Sequence, residues 1–135
     1  MEFLLDTNIC IYIIKQKPIL VFEKFQSLEP GSVGISTITL SELQYGVMKS
    51  QNPIKNQLAL DHFLIPIEIV NYDFAASVEF GVIRNYLEKL GSPIGPLDTL
   101  IAAHAKSLDL TLVTNNEKEF QRVLNLKIQN WTIKI

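Results

Sequence analysis

Short apolar segments alternate along the chain with longer stretches in which apolar residues recur every three or four positions. The short segments suit strands of a parallel sheet, whose two faces are both covered by helices. They lie at 2–5, 33–37, 67–70, 111–114 and 127–131. The longer stretches predict helices at 9–15, 18–28, 40–50, 54–64, 73–90, 96–108 and 117–123. Strands that alternate with helices need crossover connections, so the pattern predicts an α/β fold with a mainly parallel sheet of about five strands.

Polar residues mark the expected starts of two helices. Thr7 or Asn8 is of the N-cap type before the first helix, and Thr37 or Thr39 before the third. Each side chain could accept a hydrogen bond from a free backbone N–H group of the first turn.

The longest predicted helix has signals at both ends. Asp73 is expected to cap its start, and Gly91 suits the position after its end. Its apolar stripe is expected to comprise Val78, Val82, Ile83, Tyr86, Leu87 and Leu90.

Length and composition limit the kinds of protein that this can be. The 135 residues suit one domain, expected to span 1–135, and 47% hydrophobic with 19% charged residues excludes a disordered chain. The apolar runs are too short to cross a bilayer, and the N-terminus lacks the features of a signal peptide. We therefore expect a cytoplasmic protein that does not insert into a membrane.

The net charge of −2 argues against a strongly basic nucleic-acid-binding protein. The sum hides the distribution of charge, however. If four of the 14 acidic residues bind a metal ion, the 12 basic residues outnumber the other acids. A cleft filled by a cation could then still accept RNA.

Four acidic residues fall near the same predicted edge of the sheet. Asp6 directly follows the first strand, and Glu42 lies in the helix after the second. Asp98 lies two residues after Pro96, in the first turn of a helix, and Glu119 follows the fourth strand. Taken singly, each could be a helix cap or a solvated acid.

Carboxylates that converge in an apolar domain repel one another unless a positive charge lies among them. Mg²⁺ or Mn²⁺ would suit such a site, because both ions prefer oxygen ligands. These ions can activate water and stabilise the oxygens of an in-line phosphoryl displacement. The acids therefore point to phosphodiester hydrolysis.

Four segments of the chain resemble the motifs of VapC-type PIN-domain toxins, in the same order and with similar spacing. They are 1–12 around Asp6, 38–46 around Glu42, 95–105 around Asp98, and 112–120 with Glu119 before Phe120. Together they cover nearly the whole chain.

The resemblance implies a PIN-like three-layer α/β/α fold and an endoribonuclease. It also implies an acidic pocket for Mg²⁺ or Mn²⁺, inhibition by a VapB-type antitoxin, and a homodimer. Asp6 and Asp98 match the principal metal ligands, Glu42 matches the third acid, and Glu119 stands where the family often has an acid. The similarity further suggests initiator tRNA as a substrate, cut in the anticodon loop.

One position departs from the family pattern. Many relatives carry Asp where Asn116 stands, and an amide supplies no charge, so the fourth acidic role lies with Glu119 or with no residue. Thr114, Asn115 and Asn116 are expected to support the pocket as polar residues. Lys118 and Arg122 are the basic residues expected to contact RNA phosphates, because their helix adjoins the proposed pocket.

Two other functions compete with the nuclease. A catalytically weak PIN-like module could bind RNA or a partner through an inactive pocket, although retention of Asp6, Glu42 and Asp98 argues against it. A phosphoryl-transfer protein also uses acids after strands, but Thr7 and Asn8 follow Asp6 where such a protein usually has a second aspartate. His104, six residues after Asp98, is expected to be packed or exposed and not to act as a general base.

Overall fold

Five parallel strands form the sheet of the computed structural model, which describes residues 1–133. The strands are β1 (Phe3–Leu5), β2 (Val33–Ser36), β3 (Glu68–Val70), β4 (Thr111–Val113) and β5 (Ile128–Gln129). Their order across the sheet is β3-β2-β1-β4-β5, and every neighbouring pair is parallel. The predicted parallel sheet of five strands is confirmed.

Seven helices connect or flank these strands within the described part of the chain. They are α1 (Thr7–Lys15), α2 (Ile19–Gln26), α3 (Thr37–Lys49), α4 (Pro53–Leu64), α5 (Phe74–Lys89), α6 (Pro96–Ser107) and α7 (Glu117–Phe120). Among residues 1–133, none of these helices has the length and hydrophobicity needed to cross a bilayer.

The central strand β1 carries the two halves of the hydrophobic core on its opposite faces. Phe3 and Leu5 are buried on one face, in a cluster with side chains of α1 to α4. Leu4 is buried on the other face with side chains of α5, α6 and α7. This alternation follows from the two-residue period of a strand. It produces the three layers, helices on both sides of the sheet, that the resemblance implies.

The C-terminal segment packs against the first strand. The Trp131 ring meets the Phe3 ring edge-on, with centroids 5.3 Å apart, and the Trp131 side chain is buried. Edge-to-face contacts of this kind stabilise aromatic pairs beyond their burial. Trp131 therefore anchors the segment after β5 to the centre of the sheet.

The predicted N-caps of two helices are wrong by one or more residues. Asp6 caps α1 by accepting a hydrogen bond from Thr7 N, and Thr7 and Asn8 lie inside the helix. Ser36 caps α3 by accepting from Ile38 N. In both places the helix begins directly after the cap, and at most the capping residue itself separates the helix from the strand.

The predicted apolar stripe of α5 is also wrong in part. Ile83 and Leu87 are buried, as expected, with Ala76 beside them. The other members of the stripe lie on the surface, and they are Val78, Val82, Tyr86 and Leu90. Helical periodicity finds an apolar face, but it cannot tell which of two neighbouring faces meets the core.

Replacing the cap of α3 should lower stability without changing the fold. In Ser36→Ala the Ile38 N–H loses its acceptor at a buried position, and loss of such a cap costs about 1 kcal/mol. Urea unfolding followed by circular dichroism measures the change. Ser41→Ala, which removes an exposed hydroxyl from the same helix, is the matched control and should leave the midpoint nearly unchanged. Equal midpoints for the two variants would contradict the capping role.

Candidate active site

The candidate site lies at the carboxyl ends of β1 and β4. These strands are neighbours, with Leu5 paired to Val113, so the residues that follow them begin side by side. Asp6 follows β1 and Thr114 follows β4. In an open parallel sheet this edge is where ligands bind.

Hydrogen bonds hold both oxygens of the Asp6 carboxylate. Oδ1 accepts from Thr7 N at 2.8 Å, and Oδ2 accepts from the Thr114 hydroxyl at 2.8 Å. The side chain is buried, with 5% exposed. Burial raises the pKa of Asp6, the two hydrogen bonds oppose that rise, and the charges of Glu42 and Glu119 add to it.

The turn after β4 is ordered around Thr114 and two asparagines. Thr114 Oγ1 accepts from the Asn116 backbone N at 3.0 Å while its proton goes to Asp6. Asn115 donates through Nδ2 to the Tyr12 hydroxyl at 2.8 Å. The turn therefore ties the end of β4 both to Asp6 and to α1.

Glu42 reaches the site from the second turn of α3. It is half-buried, and its Oε1 accepts a hydrogen bond from the Thr7 hydroxyl at 2.8 Å. Its charge acts on both Asp6 and Asp98, since it contributes to the raised pKa of each. Glu42 is thus part of the same electrostatic cluster.

Asp98 lies in the first turn of α6, which begins with Gly95 as its N-cap and Pro96 next. Its pKa is raised from 3.8 to about 7. Burial is the largest cause, followed by the charges of Glu119 and Asp6, a hydrogen bond with Glu119, and the charge of Glu42. In the absence of a cation, a carboxyl with this pKa is therefore partly protonated at neutral pH.

Glu119 closes the cluster from α7. Its Oε1 accepts from the Gly95 N–H at 3.0 Å, and its Oε2 accepts from Asn116 Nδ2 at 2.5 Å. Partial burial would raise the pKa of Glu119, but the hydrogen bonds from Gly95, Asn116 and Asp98 outweigh it and lower the pKa. Glu119 therefore stays ionised and joins α7 to the loop before Asp98.

The structure brings the four predicted acids into one electrostatic cluster without closing them into a ligand cage. Among residues 1–133, no three His, Cys, Asp or Glu side chains are arranged closely enough to enclose a metal ion. The donor set nevertheless fits a hard cation, because every acidic group offers only oxygen atoms. Mg²⁺ usually binds one or two carboxylates directly and keeps several waters, so such a site needs no complete cage. That Asp6, Glu42 and Asp98 share one cation stays a prediction.

The predicted RNA-contacting residues differ in their surroundings. Arg122 is exposed, donates through Nη1 to the Pro93 carbonyl oxygen at 3.1 Å, and lies near enough to lower the pKa of Glu119. Lys118 is exposed on α7. Arg122 thus borders the acidic cluster, and both side chains face solvent.

Three residues that the sequence did not single out for the site contact its acids or their supports. Thr7 binds Glu42, Gly95 binds Glu119, and Tyr12 accepts from Asn115. All three lie in segments that resemble the family motifs, and Thr7 also directly follows Asp6, where its residue type predicts an N-cap.

His104 packs in the core and takes no part in the cluster. It is fully buried on α6, and its ring meets the Tyr72 ring edge-on at 5.5 Å. Within residues 1–133 neither ring nitrogen has a hydrogen-bond partner, and burial lowers the pKa of His104. The structure therefore gives no support to a general-base role for this residue.

Comparison with known proteins places this arrangement in a family. Residues 3–125 match the family model described as "PIN domain". The chain is 46% identical over 132 residues to the tRNA(fMet)-specific endonuclease VapC of Shigella flexneri, covering 98% of this chain and 99% of that protein. It is 44% identical over 132 residues to Ribonuclease VapC2 of Rickettsia felis, covering 97% and 98% respectively.

A solved structure agrees with these relatives. The structure of VapBC2 from Rickettsia felis bound to a DNA fragment from their promoter superposes with a TM-score of 0.91 and 42% sequence identity. The match covers 97% of this chain and 99% of that chain.

Neutralising Asp98 should stabilise the metal-free fold. Because its folded-state pKa of about 7 lies above the ordinary 3.8, the carboxyl lowers stability increasingly as the pH rises through this interval. In EDTA at neutral pH, Asp98→Asn should therefore melt a few degrees above the parent, and the gap should narrow toward acid pH. Scanning calorimetry over a pH series gives the melting temperature of each protein as a function of pH. A difference in melting temperature that stays the same at every pH would contradict the raised pKa.

Proposed function

The chain belongs to the PIN-domain family and is an endoribonuclease of the VapC toxin type, and we propose that it cleaves RNA with a divalent cation bound among Asp6, Glu42 and Asp98. Full-length similarity to ribonucleases supports the reaction. The chemistry of the acidic cluster supports the cation.

One observation carries the metal proposal. The buried Asp6 is fixed by two hydrogen bonds, and it lies in an acidic cluster where burial, together with the charges of Glu119, Asp6 and Glu42, raises the pKa of Asp98 to about 7. A cluster built for structure alone would lower this repulsion by pairing each acid with a lysine or arginine. Here the described residues form three ion pairs, and none of them involves Asp6, Glu42, Asp98 or Glu119. A bound Mg²⁺ or Mn²⁺ would supply the missing charge.

Each residue of the site has a definite task in this proposal. Asp6 and Asp98 would bind the cation directly, and Glu42 would bind it directly or through water. The cation would stabilise the phosphoryl oxygens and lower the pKa of the attacking water. Asp98 would act as a ligand in its carboxylate form. Thr114 keeps Asp6 in place.

The fourth acid and its neighbours position the elements around the cation. Glu119 and Asn116 hold the loop at Gly95, and Asn115 braces the turn against Tyr12. The charge of Glu119 already acts on Asp6 and Asp98, but to bind the cation directly Glu119 would have to exchange one of these hydrogen bonds. Lys118 and Arg122 bind the phosphates that flank the scissile bond.

The relatives' names and titles suggest the partners and the substrate. The solved structure of a relative is that of a VapBC complex. We therefore propose that a VapB-type antitoxin binds and inhibits this chain. A relative is named for tRNA(fMet), so we propose initiator tRNA as the substrate, cut in the anticodon loop. We further propose one PIN domain over 1–135, acting in the cytoplasm as a homodimer.

Removing either principal ligand should abolish RNA cleavage while preserving the fold. Asp6→Asn and Asp98→Asn each lose a charged ligand, and the rate should fall more than about 100-fold. EDTA should abolish RNA cleavage by the parent protein, and added Mg²⁺ should restore the cleavage. Gel assays of antitoxin-free protein measure both effects. The control Asp61→Asn changes an exposed acid of α4 and should cut like the parent. A metal-replete parent that cuts no RNA would leave only the binding-module alternative.

Initiator tRNA should be cleaved in preference to other RNAs. Purified parent protein with Mg²⁺ should make one principal cut, within the anticodon loop, and should leave an elongator methionine tRNA largely intact. Sequencing of the RNA ends after incubation identifies the position. Equal cleavage of initiator tRNA, elongator tRNA and bulk RNA would refute the proposed substrate. It would leave the assignment as a nuclease unaffected.

A further inference from the structure

Thr7 contacts two of the proposed metal ligands at once. Its backbone N–H donates to Asp6 Oδ1 at 2.8 Å, and its hydroxyl donates to Glu42 Oε1 at 2.8 Å. Asp6 and Glu42 are 36 positions apart in the chain, on elements that join different strands. One residue therefore sets how these two carboxylates lie relative to each other.

The hydroxyl of Thr7 is free for this task because of its place in α1. A threonine inside a helix often donates back to the carbonyl oxygen of the preceding turn. Thr7 is the first residue of α1, so the residue four positions earlier is Phe3, which belongs to β1. A hydroxyl has one proton to donate, and here that proton goes to Glu42.

Glu42 depends on this single donor. Within residues 1–133, the Thr7 hydroxyl is the one hydrogen-bond partner of the Glu42 side chain, which forms no ion pair there. The negative charges of Asp6 and Asp98 repel Glu42, and glutamate has several rotatable bonds through which it could swing into water. The Thr7 hydroxyl is the contact that opposes this movement.

We propose that Thr7 is a positioning residue for the nuclease reaction, whose hydroxyl holds Glu42 beside Asp6 for cation binding. The proposal rests on the proposed metal-dependent function. It assigns Thr7 a role beyond helix capping, which Asp6 performs for α1. It also explains why Glu42, although half-exposed in the second turn of a helix, stays close to a buried aspartate of the same charge.

Two substitutions separate the hydroxyl from the rest of the side chain. Thr7→Val keeps the shape and the backbone N–H that holds Asp6 but removes the hydroxyl. Thr7→Ser keeps the hydroxyl and removes the methyl group. Ser41→Ala is the control, because it deletes a hydroxyl next to Glu42 in sequence that donates to the Thr37 carbonyl oxygen.

The first measurement is Mn²⁺ binding without RNA, by electron paramagnetic resonance of antitoxin-free protein whose folding is checked by circular dichroism. Thr7→Val should weaken Mn²⁺ binding about tenfold, the effect typical of losing a residue that orients a ligand. Thr7→Ser and Ser41→Ala should bind like the parent. Parent-like binding by Thr7→Val, or a serine variant as weak as the valine variant, would overturn the proposal.

A double-mutant cycle tests whether Thr7 acts through Glu42. Once Glu42→Gln has weakened binding, adding Thr7→Val should have no further effect, because the group that Thr7 holds has lost its charge. A further loss of similar size would show that Thr7 acts on something else and would overturn the proposal. The same cycle on the RNA cleavage rate should show the same non-additivity.

The two proposals fail in different ways. If the metal-replete parent binds Mn²⁺ but cuts no RNA, the proposed function fails. The double-mutant cycle measured on Mn²⁺ binding still decides the role of Thr7. If the parent binds no Mn²⁺, both the metal site and the role of Thr7 are refuted.

Discussion

Repulsion among carboxylates at one edge of the sheet is the constraint on which the site depends. Asp6, Glu42, Asp98 and Glu119 lie at or in four different helices, and their mutual charges contribute to the raised pKa of Asp6 and of Asp98. Hydrogen bonds from Thr7, Thr114 and Gly95 hold Glu42, Asp6 and Glu119 in place against this force. This local concentration of negative charge lowers the stability of the fold, and a divalent cation would reduce the repulsion.

Most of the fold follows from periodicity alone. The strands are short and apolar, the helices between them are long, and right-handed crossovers leave few arrangements for such a chain. The order of elements and the parallel sheet were therefore predictable. Two kinds of detail were not: caps that lie at the junction of a strand and a helix, as at Ser36, and the face of α5 that meets the core. Both depend on neighbours distant in sequence, which a local pattern does not contain.

For the site, the sequence indicates the acids better than it indicates their supports. Asp6 and Glu119 follow strands, and Asp98 follows a proline at the start of a helix, so their types and positions mark them. The hydrogen bonds of Thr7 and Gly95 join residues 35 and 24 positions apart, and only the folded backbone brings them together. The loop at Gly95 supplies a backbone N–H, a group that every residue except proline carries. No pattern of side chains could have revealed it.

The bond between Thr114 and Asp6 has a consequence for how the protein is made. It joins residues 108 positions apart, and β4, which carries Thr114 at its end, must lie beside β1 before it forms. A growing polypeptide on the ribosome therefore lacks this half of the site until β4 and Thr114 have been synthesised and β4 has paired with β1. Until then Asp6 has only the hydrogen bond from the neighbouring Thr7 N–H, so the acidic cluster is completed late in synthesis.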